Sequence, residues 1–244
     1  DALSAVSLVD PADWDPSTDM AYIRIDDQEN KNLIIKGELS DGTPVEGTAA
    51  SGTEIRTGDI DCGENRTAVN ITPTWGTEIT FTAGDVTSAE GEGIILVVRT
   101  GKADLTVGTV EPAGNGVNVT TSSSGETEIK TGDIASGGSG LIISNGSAAT
   151  KAETGTIEAG IEGVHIINPA GVVDVHTGAV SAERMGVVAN MMGESAATSY
   201  TPRTTVTVDG DITVEDAVYG AAVTATDEDR SAGLTVNGGI SVAF

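Results

Sequence analysis

The chain holds 244 residues, with 12 Lys or Arg against 37 Asp or Glu, for a net charge of −25. That balance repels nucleic acids and anionic membranes and suits a soluble secreted surface. Hydrophobic residues make up 38% and aromatics only 3%, so any core is aliphatic. A single cysteine, Cys62, excludes an internal disulfide and a cysteine-built zinc cluster. No run approaches the roughly 18 apolar residues of a membrane-spanning helix. The chain opens on Asp1, which suggests a processed or trimmed product, and no signal peptide is visible.

In chain order, residues 1 to about 30 come first. Pro11, Trp14 and Pro16 mark turns, and Met20 to Ile25 reads as a strand. We expect this stretch to cap the N-terminal end of the fold, with Trp14 lying over the first coil, because exposed strand edges invite aggregation.

From residue 31 to 244 the sequence repeats. Thr-Glu-Ile-x-Thr-Gly-Asp-Ile stands at Thr53 to Ile60 and again at Thr127 to Ile134. Looser copies include LIIKGEL from Leu33, TEITFTAGDV from Thr77, ADLTVGTV from Ala103, VDVHTGAV from Val173 and LTVNGGI ending at Ile240. The anchoring glycines are Gly37, Gly58, Gly84, Gly108, Gly132, Gly155, Gly178, Gly210 and Gly239, mostly 21 to 26 residues apart and farther apart after Gly178. A second glycine comes eight to ten residues later, at Gly93, Gly116, Gly140, Gly163, Gly186 and Gly220, and opens a strand such as GLIISN. The first full repeat carries Arg66 at that place. A fixed period in the twenties is the signature of a solenoid.

Each phrase alternates apolar and polar residues, the period of a strand. Ile55, Ile79, Leu105, Ile129 and Val175 form one expected inward column, and Ile60, Val86, Val110, Ile134, Ile157, Val180 and Ile212 a second. The glycines are expected at corners that need positive φ. The fold class is all-β: a right-handed parallel β-helix of about nine coils, roughly 40 Å long at the strand spacing. A β-sandwich also has short strands, but does not predict near-identical phrases at a fixed interval.

Two acidic columns are candidate calcium ligands: Glu54, Glu78, Asp104 and Glu128 in one, Asp59, Asp85, Asp133 and Asp211 in the other. Stacked like charges repel, and a bridging cation relieves this. The glycine-rich calcium nonapeptide of β-rolls is absent, and Arg56 and Lys130 stand beside the first column, so a solvated acidic face accounts for both. No cofactor is required. His165 and His176 lie on different strands and are expected to point outward. The basic residues are few and scattered, which argues against the Asp-plus-Arg/Lys clusters of polysaccharide lyases. The Thr-x-Thr pairs Thr80/Thr82 and Thr205/Thr207 are too sparse for an ice-binding face. Asn65, Asn70, Asn118 and Asn145 head glycosylation triplets, which a Thr-rich chain also produces by chance. The longest insertion runs from Met192 to Arg203, and Tyr200, Pro202 and Arg203 are its candidate binding residues.

The recurring G-[DT]-[IV] phrase, the glycine eight residues on, and the stretch IRIDDQENKNLIIKGELS resemble the passengers of bacterial autotransporters. That resemblance implies a non-catalytic module displayed at the cell surface, outside the outer membrane of a Gram-negative bacterium. It would serve adhesion or self-association into a fibre, sheath or surface layer. Its partners would be other copies of itself or host and cell-surface glycans or proteins, with no nucleic acid and no membrane insertion by this segment. A polysaccharide-binding or polysaccharide-degrading β-helix enzyme is the alternative.

Overall fold

The structure, a computed structural model, describes residues 17–27, 32–63, 66–192, 201–226 and 229–243. Three strands come first: β1 Met20–Asp27, β2 Asn32–Leu39 and β3 Pro44–Ala50. They form an antiparallel meander, with Ile25 opposite Ile35 and Ile35 opposite Gly47. Coils come next. The first is β4 Glu54–Arg56, β5 Ile60–Cys62 and β6 Val69–Thr72. The second opens with β7 Thr77–Thr82 and β8 Val86–Ser88 and closes in the first half of β9 Ile94–Thr106. That strand turns a corner without a break and opens the third coil, which continues through β10 Val110–Pro112. The long β11 Val117–Lys130 bridges the next corner in the same way.

The remaining coils are β12 Ile134–Ser136 and β13 Leu141–Asn145; β14 Ala149–Glu153, β15 Ile157–Ala159 and β16 Glu162–Ile167; β17 Val172–Thr177, β18 Val180–Ala182 and β19 Met185–Met191; β20 Arg203–Val208, β21 Ile212–Val214 and β22 Tyr219–Ala225; and β23 Ser231–Val236 with β24 Ile240–Val242. Every one of them pairs in parallel with its equivalent one coil away. The result is a parallel β-solenoid with three faces. The first runs from β4 to β23, the second from β5 to β24, and the third from β6 to β22 with β1 laid over β6.

The rod has about seven turns rather than nine. Leu33–Leu39 is the middle strand of the meander and not a coil, because it pairs antiparallel on both sides. At ~4.8 Å per turn the stack from β5 to β24 is about 34 Å tall. β1 is fixed to the solenoid by Asp27, whose carboxylate accepts the N–H groups of Thr74 (2.7 Å) and Trp75 (2.6 Å) and the hydroxyls of Thr74 (2.7 Å) and Thr77 (2.8 Å). Trp14 lies outside the described residues.

The inward columns form one continuous aliphatic core. The second face matches expectation: Ile60, Val86, Val110, Ile134, Ile157, Val180 and Ile212 stack in register. The first face departs by two residues. Phe81, fully buried, occupies the slot between Ile55 and Leu105, while Ile79 stacks on Ala103. Both point inward, because a slip of two keeps the same side chains on the same face of a strand. The same slip removes Glu78 from its expected column: it pairs with Lys102, and Thr80 takes the place beside Glu54 and Asp104. On the third face Ala68, not Arg66, stands level with Gly93, since Val69 pairs with Ile94. At the last coil Gly238 is the equivalent of Gly210, because Ile240 pairs with Ile212.

The corner glycines are explained by space. Positive φ occurs only at Gly42, Gly52, Gly76 and Gly101, and at Ser123, among the described residues, and none of the anchoring glycines adopts it. At Gly140 a Cβ would collide with Ile157 Cγ2 and reach 2.8 Å from the Gly163 carbonyl oxygen.

Candidate functional site

The outward side chains of the first face make a lattice of opposite charges. Along one row Glu54, Thr80, Asp104, Glu128, Lys151 and Asp174 succeed one another from coil to coil. Arg56 binds Glu54 at 2.7 Å, Lys102 binds Asp104 at 2.6 Å, Lys130 binds Glu128 at 2.9 Å, and Lys151 reaches Glu153 at 2.6 Å and Glu128 at 3.6 Å. Glu54, Asp104 and Glu128 each face a cation, and the row is not a column of unopposed acids. The hydrogen bond from Lys130, with Lys151 close by, holds the Glu128 carboxyl below the usual carboxylate range. The hydrogen bond from Lys151 does the same for Glu153, and Asp104 raises the Lys102 ammonium. A carboxyl lowered in the folded state contributes stability above its ordinary pKa and loses it as pH falls through the lowered value. These pairs are exposed, so each contributes little to the fold. Thr80 and Thr205 share this row, as Thr82 and Thr207 share the next, but charged coils separate the two pairs.

The second acidic column has another task. Asp59 Oδ1 accepts the backbone N–H of Asp85 at 2.9 Å, Asp85 Oδ1 that of Thr109 at 2.7 Å, and Asp133 Oδ1 that of Thr156 at 2.7 Å. Asp211 receives Gly239 at 2.7 Å, and Asp19 receives Asp59 at 3.0 Å. Each carboxylate reaches one coil onward and satisfies an amide at the corner between the first and second faces. In doing so it folds over the next anchoring glycine, and a Cβ on Gly84 would collide with Asp59 Oδ1. The Gly-Asp pair in the repeat is therefore one device, split between two coils: the aspartate bonds upward and the glycine above leaves it room.

Gly84→Ala alone should cost about 2 kcal/mol through overpacking, and Asp59→Ala about 1 kcal/mol through the lost amide partner. The double variant should cost clearly less than the sum, because the alanine methyl then meets no carboxylate. Urea unfolding of the four proteins measures the coupling; strict additivity would show that the two residues act separately.

A third ladder, buried at the corner between the third and first faces, gave no signal in the repeat phrase. Asn145 and Asn168 are 2% and 0% exposed. Asn145 Nδ2 donates to Asn168 Oδ1 (3.0 Å) and to the Ala148 carbonyl (3.1 Å), while its Oδ1 accepts from Thr150 (3.1 Å) and Thr121. Asn168 Nδ2 donates to the carbonyls of Gly171 (3.0 Å) and Arg203 (2.9 Å), and Gly171 N–H returns to Asn168 Oδ1 (2.9 Å). Asn145, the head of a glycosylation triplet, has its amide committed to this network. The available signal was the asparagine recurring 23 residues on, at the end of GLIISN and of GVHIIN.

The histidines stay apart. His165 sits on the third face with Nδ1 2.6 Å from Glu162, and His176 on the first with Nε2 2.7 Å from Asp209. The contact with His176, and then the Asn237 amide, hold Asp209 below the usual carboxylate range. The long insertion leaves from β19 and returns at β20, at the same corner where the chain passes from β22 to β23. Tyr200 lies outside the described residues. Pro202 is buried, and its carbonyl accepts Ser231 N–H at 3.2 Å; Arg203 lies on the first face and binds Asp174 at 2.7 Å. Cys62 is buried, with its thiol 3.8 Å from the Arg66 carbonyl, and the Arg66 guanidinium stacks 4.9 Å from the centre of the Tyr22 ring.

The third face differs from the other two. Its outward positions from β6 to β22 carry Asn, Thr, Ile, Val, Ser, His and Ala, with no Asp, Glu, Lys or Arg between its two corners. Ile95, Val97 and Ile142 are half-exposed, and Ile167 is 45% exposed.

Among the described residues, no group of three or more His, Cys, Asp or Glu is placed to hold one metal ion, and no helix is long and apolar enough to cross a membrane. The chain matches no protein-family model, no curated protein and no solved structure.

Proposed function

We propose that this chain is a non-catalytic structural module, a stiff β-solenoid displayed outside the cell as a spacer or adhesive stalk. The observation that carries the reading is the employment of its polar residues. The carboxylates of Asp59, Asp85, Asp133 and Asp211 bond to the backbone of the next coil, and those of Glu54, Asp104, Glu128 and Asp174 face cations on the same face. A lyase or hydrolase keeps such groups turned toward a substrate, with perturbed acids and bases in a cleft. Here the aspartates stitch coil to coil, Arg203 and Lys151 bridge to Asp174 and Glu128 of the neighbouring coil, and the remaining acids pair with a cation two residues along their own strand. The acidic surface suits an exported protein that must stay soluble. The likeness of the Gly-Asp-Ile phrase to autotransporter passengers points to the same setting, and glycans or proteins of a cell surface are the partners that setting supplies.

The test is direct. Incubated with pectin, polygalacturonate and alginate, the protein should yield no ultraviolet-absorbing unsaturated product above a boiled control. Electron micrographs of the same sample should show short stiff rods, single or associated. Turnover of any of these polymers would overturn the structural reading.

A further inference from the structure

We infer that the third face is a self-association surface, on which a second copy of this chain packs face to face. The inference deepens the structural reading above and rests on it.

Charge is the first constraint. Two copies that each carry −25 repel wherever their acids meet. The first face carries Glu54, Glu78, Glu126 and Glu128 among its cations, and the second carries Asp61, Glu111 and Glu158 at its outward positions. The third face is the one side of the described solenoid where two copies can meet without setting carboxylates against each other. Its margins are charged. The Arg24–Asp26 pair stands at the β1 end, Glu162 lies at one corner, bound to His165, and Arg99 lies at the other. The charge stands at the β1 end and along the two corners, with the Glu162 carboxylate taken up by His165.

Shape and composition agree. The strands from β6 to β22 are in unbroken register, so the face is a regular sheet. Asn118 and Thr120 lie between Ile95 with Val97 on one side and Ile142 on the other, so apolar ridges alternate with short polar rows. Two such sheets pack about 10 Å apart, as in a sandwich, with side chains of one between those of the other. About seven coils at ~4.8 Å and about five residues at ~3.3 Å each give roughly 500 Å² per partner, or ~1,000 Å² in all. That is about the lower bound for a specific interface, so the pair is weak and reversible. An isologous pair uses the same patch on both copies, so one face suffices.

Sedimentation velocity on the intact chain, from low micromolar to several hundred micromolar, tests this. The wild type should shift from monomer to dimer with concentration. The shift should strengthen as salt rises, because salt screens the repulsion of the surrounding acids and leaves the uncharged contact alone. Ile142→Lys combined with Ile167→Lys should hold the protein monomeric at every concentration, and Glu111→Lys on the second face should leave the dimer in place. Far-ultraviolet circular dichroism and a melt check that each variant keeps its strands. A wild-type chain that stays monomeric throughout, including one that binds ice or a glycan through this face, overturns the inference. So does a dimer that survives the double lysine variant or that salt dissolves. A monomer that still forms stiff rods and turns over no polysaccharide would leave the spacer reading intact.

Discussion

Asn168→Ala should lower the stability of the solenoid by about 3 to 5 kcal/mol, the effect of stranding several buried partners at once. The side chain is fully buried and serves three coils. It receives Asn145 from the coil before, binds Gly171 in its own turn, and donates to the Arg203 carbonyl in the coil after. Alanine removes both the donor and the acceptor, and the pocket is walled off from the water that could replace them. Asn70→Ala offers the comparison. That side chain is half-buried and, among the described residues, accepts from Thr72 alone, at 3.0 Å, so its loss should stay below about 1 kcal/mol. Urea unfolding followed by circular dichroism measures both; equal losses would mean that the ladder is ornamental.

Gly140→Ala should cost about 3 kcal/mol, at the upper end for overpacking. The methyl would collide with Ile157, whose side chain is itself locked between Ile134 and Val180 in the second inward column. Nothing can move aside without displacing the coils above and below, because interiors of this density transmit strain. Gly63→Ala is the control: a Cβ there meets nothing within 4 Å, and φ is not positive, so the change should stay within about 0.5 kcal/mol. A Gly140 variant as stable as the Gly63 one would remove the steric account of the repeat.

The repeat makes the fold legible because each coil must place an aliphatic residue in the same inward slot. Ile60 through Ile212 align on their spacing alone, and the structure keeps that alignment. Several features escape the pattern. Alternation has a period of two, so it cannot tell Ile79 from Phe81 as the residue that stacks on Leu105. Glu78 goes astray with it. The strand from Leu33 to Leu39 alternates as well as any coil, but its partners run antiparallel, and direction leaves no mark on alternation. The Gly-Asp phrase is visible as a pattern, and its meaning is not. Positive φ is the usual task of a corner glycine, whereas here the aspartate that needs the space belongs to a different turn. The column of Asp59, Asp85 and Asp133 looks like exposed charge for the same reason: the amides it satisfies are invisible until the coils are stacked. The Asn145–Asn168 ladder recurs over too few turns to stand out from chance.

The parallel ladders have a mechanical consequence. Their hydrogen bonds point along the rod, so tension applied between its ends pulls on them lengthwise, row after row, rather than shearing them together. Such a rod gives way one coil at a time. Each coil of about 24 residues releases roughly 80 Å of chain. The turns tied by Asn145 and Asn168 would be the last to open, which makes the middle of the rod its strongest length.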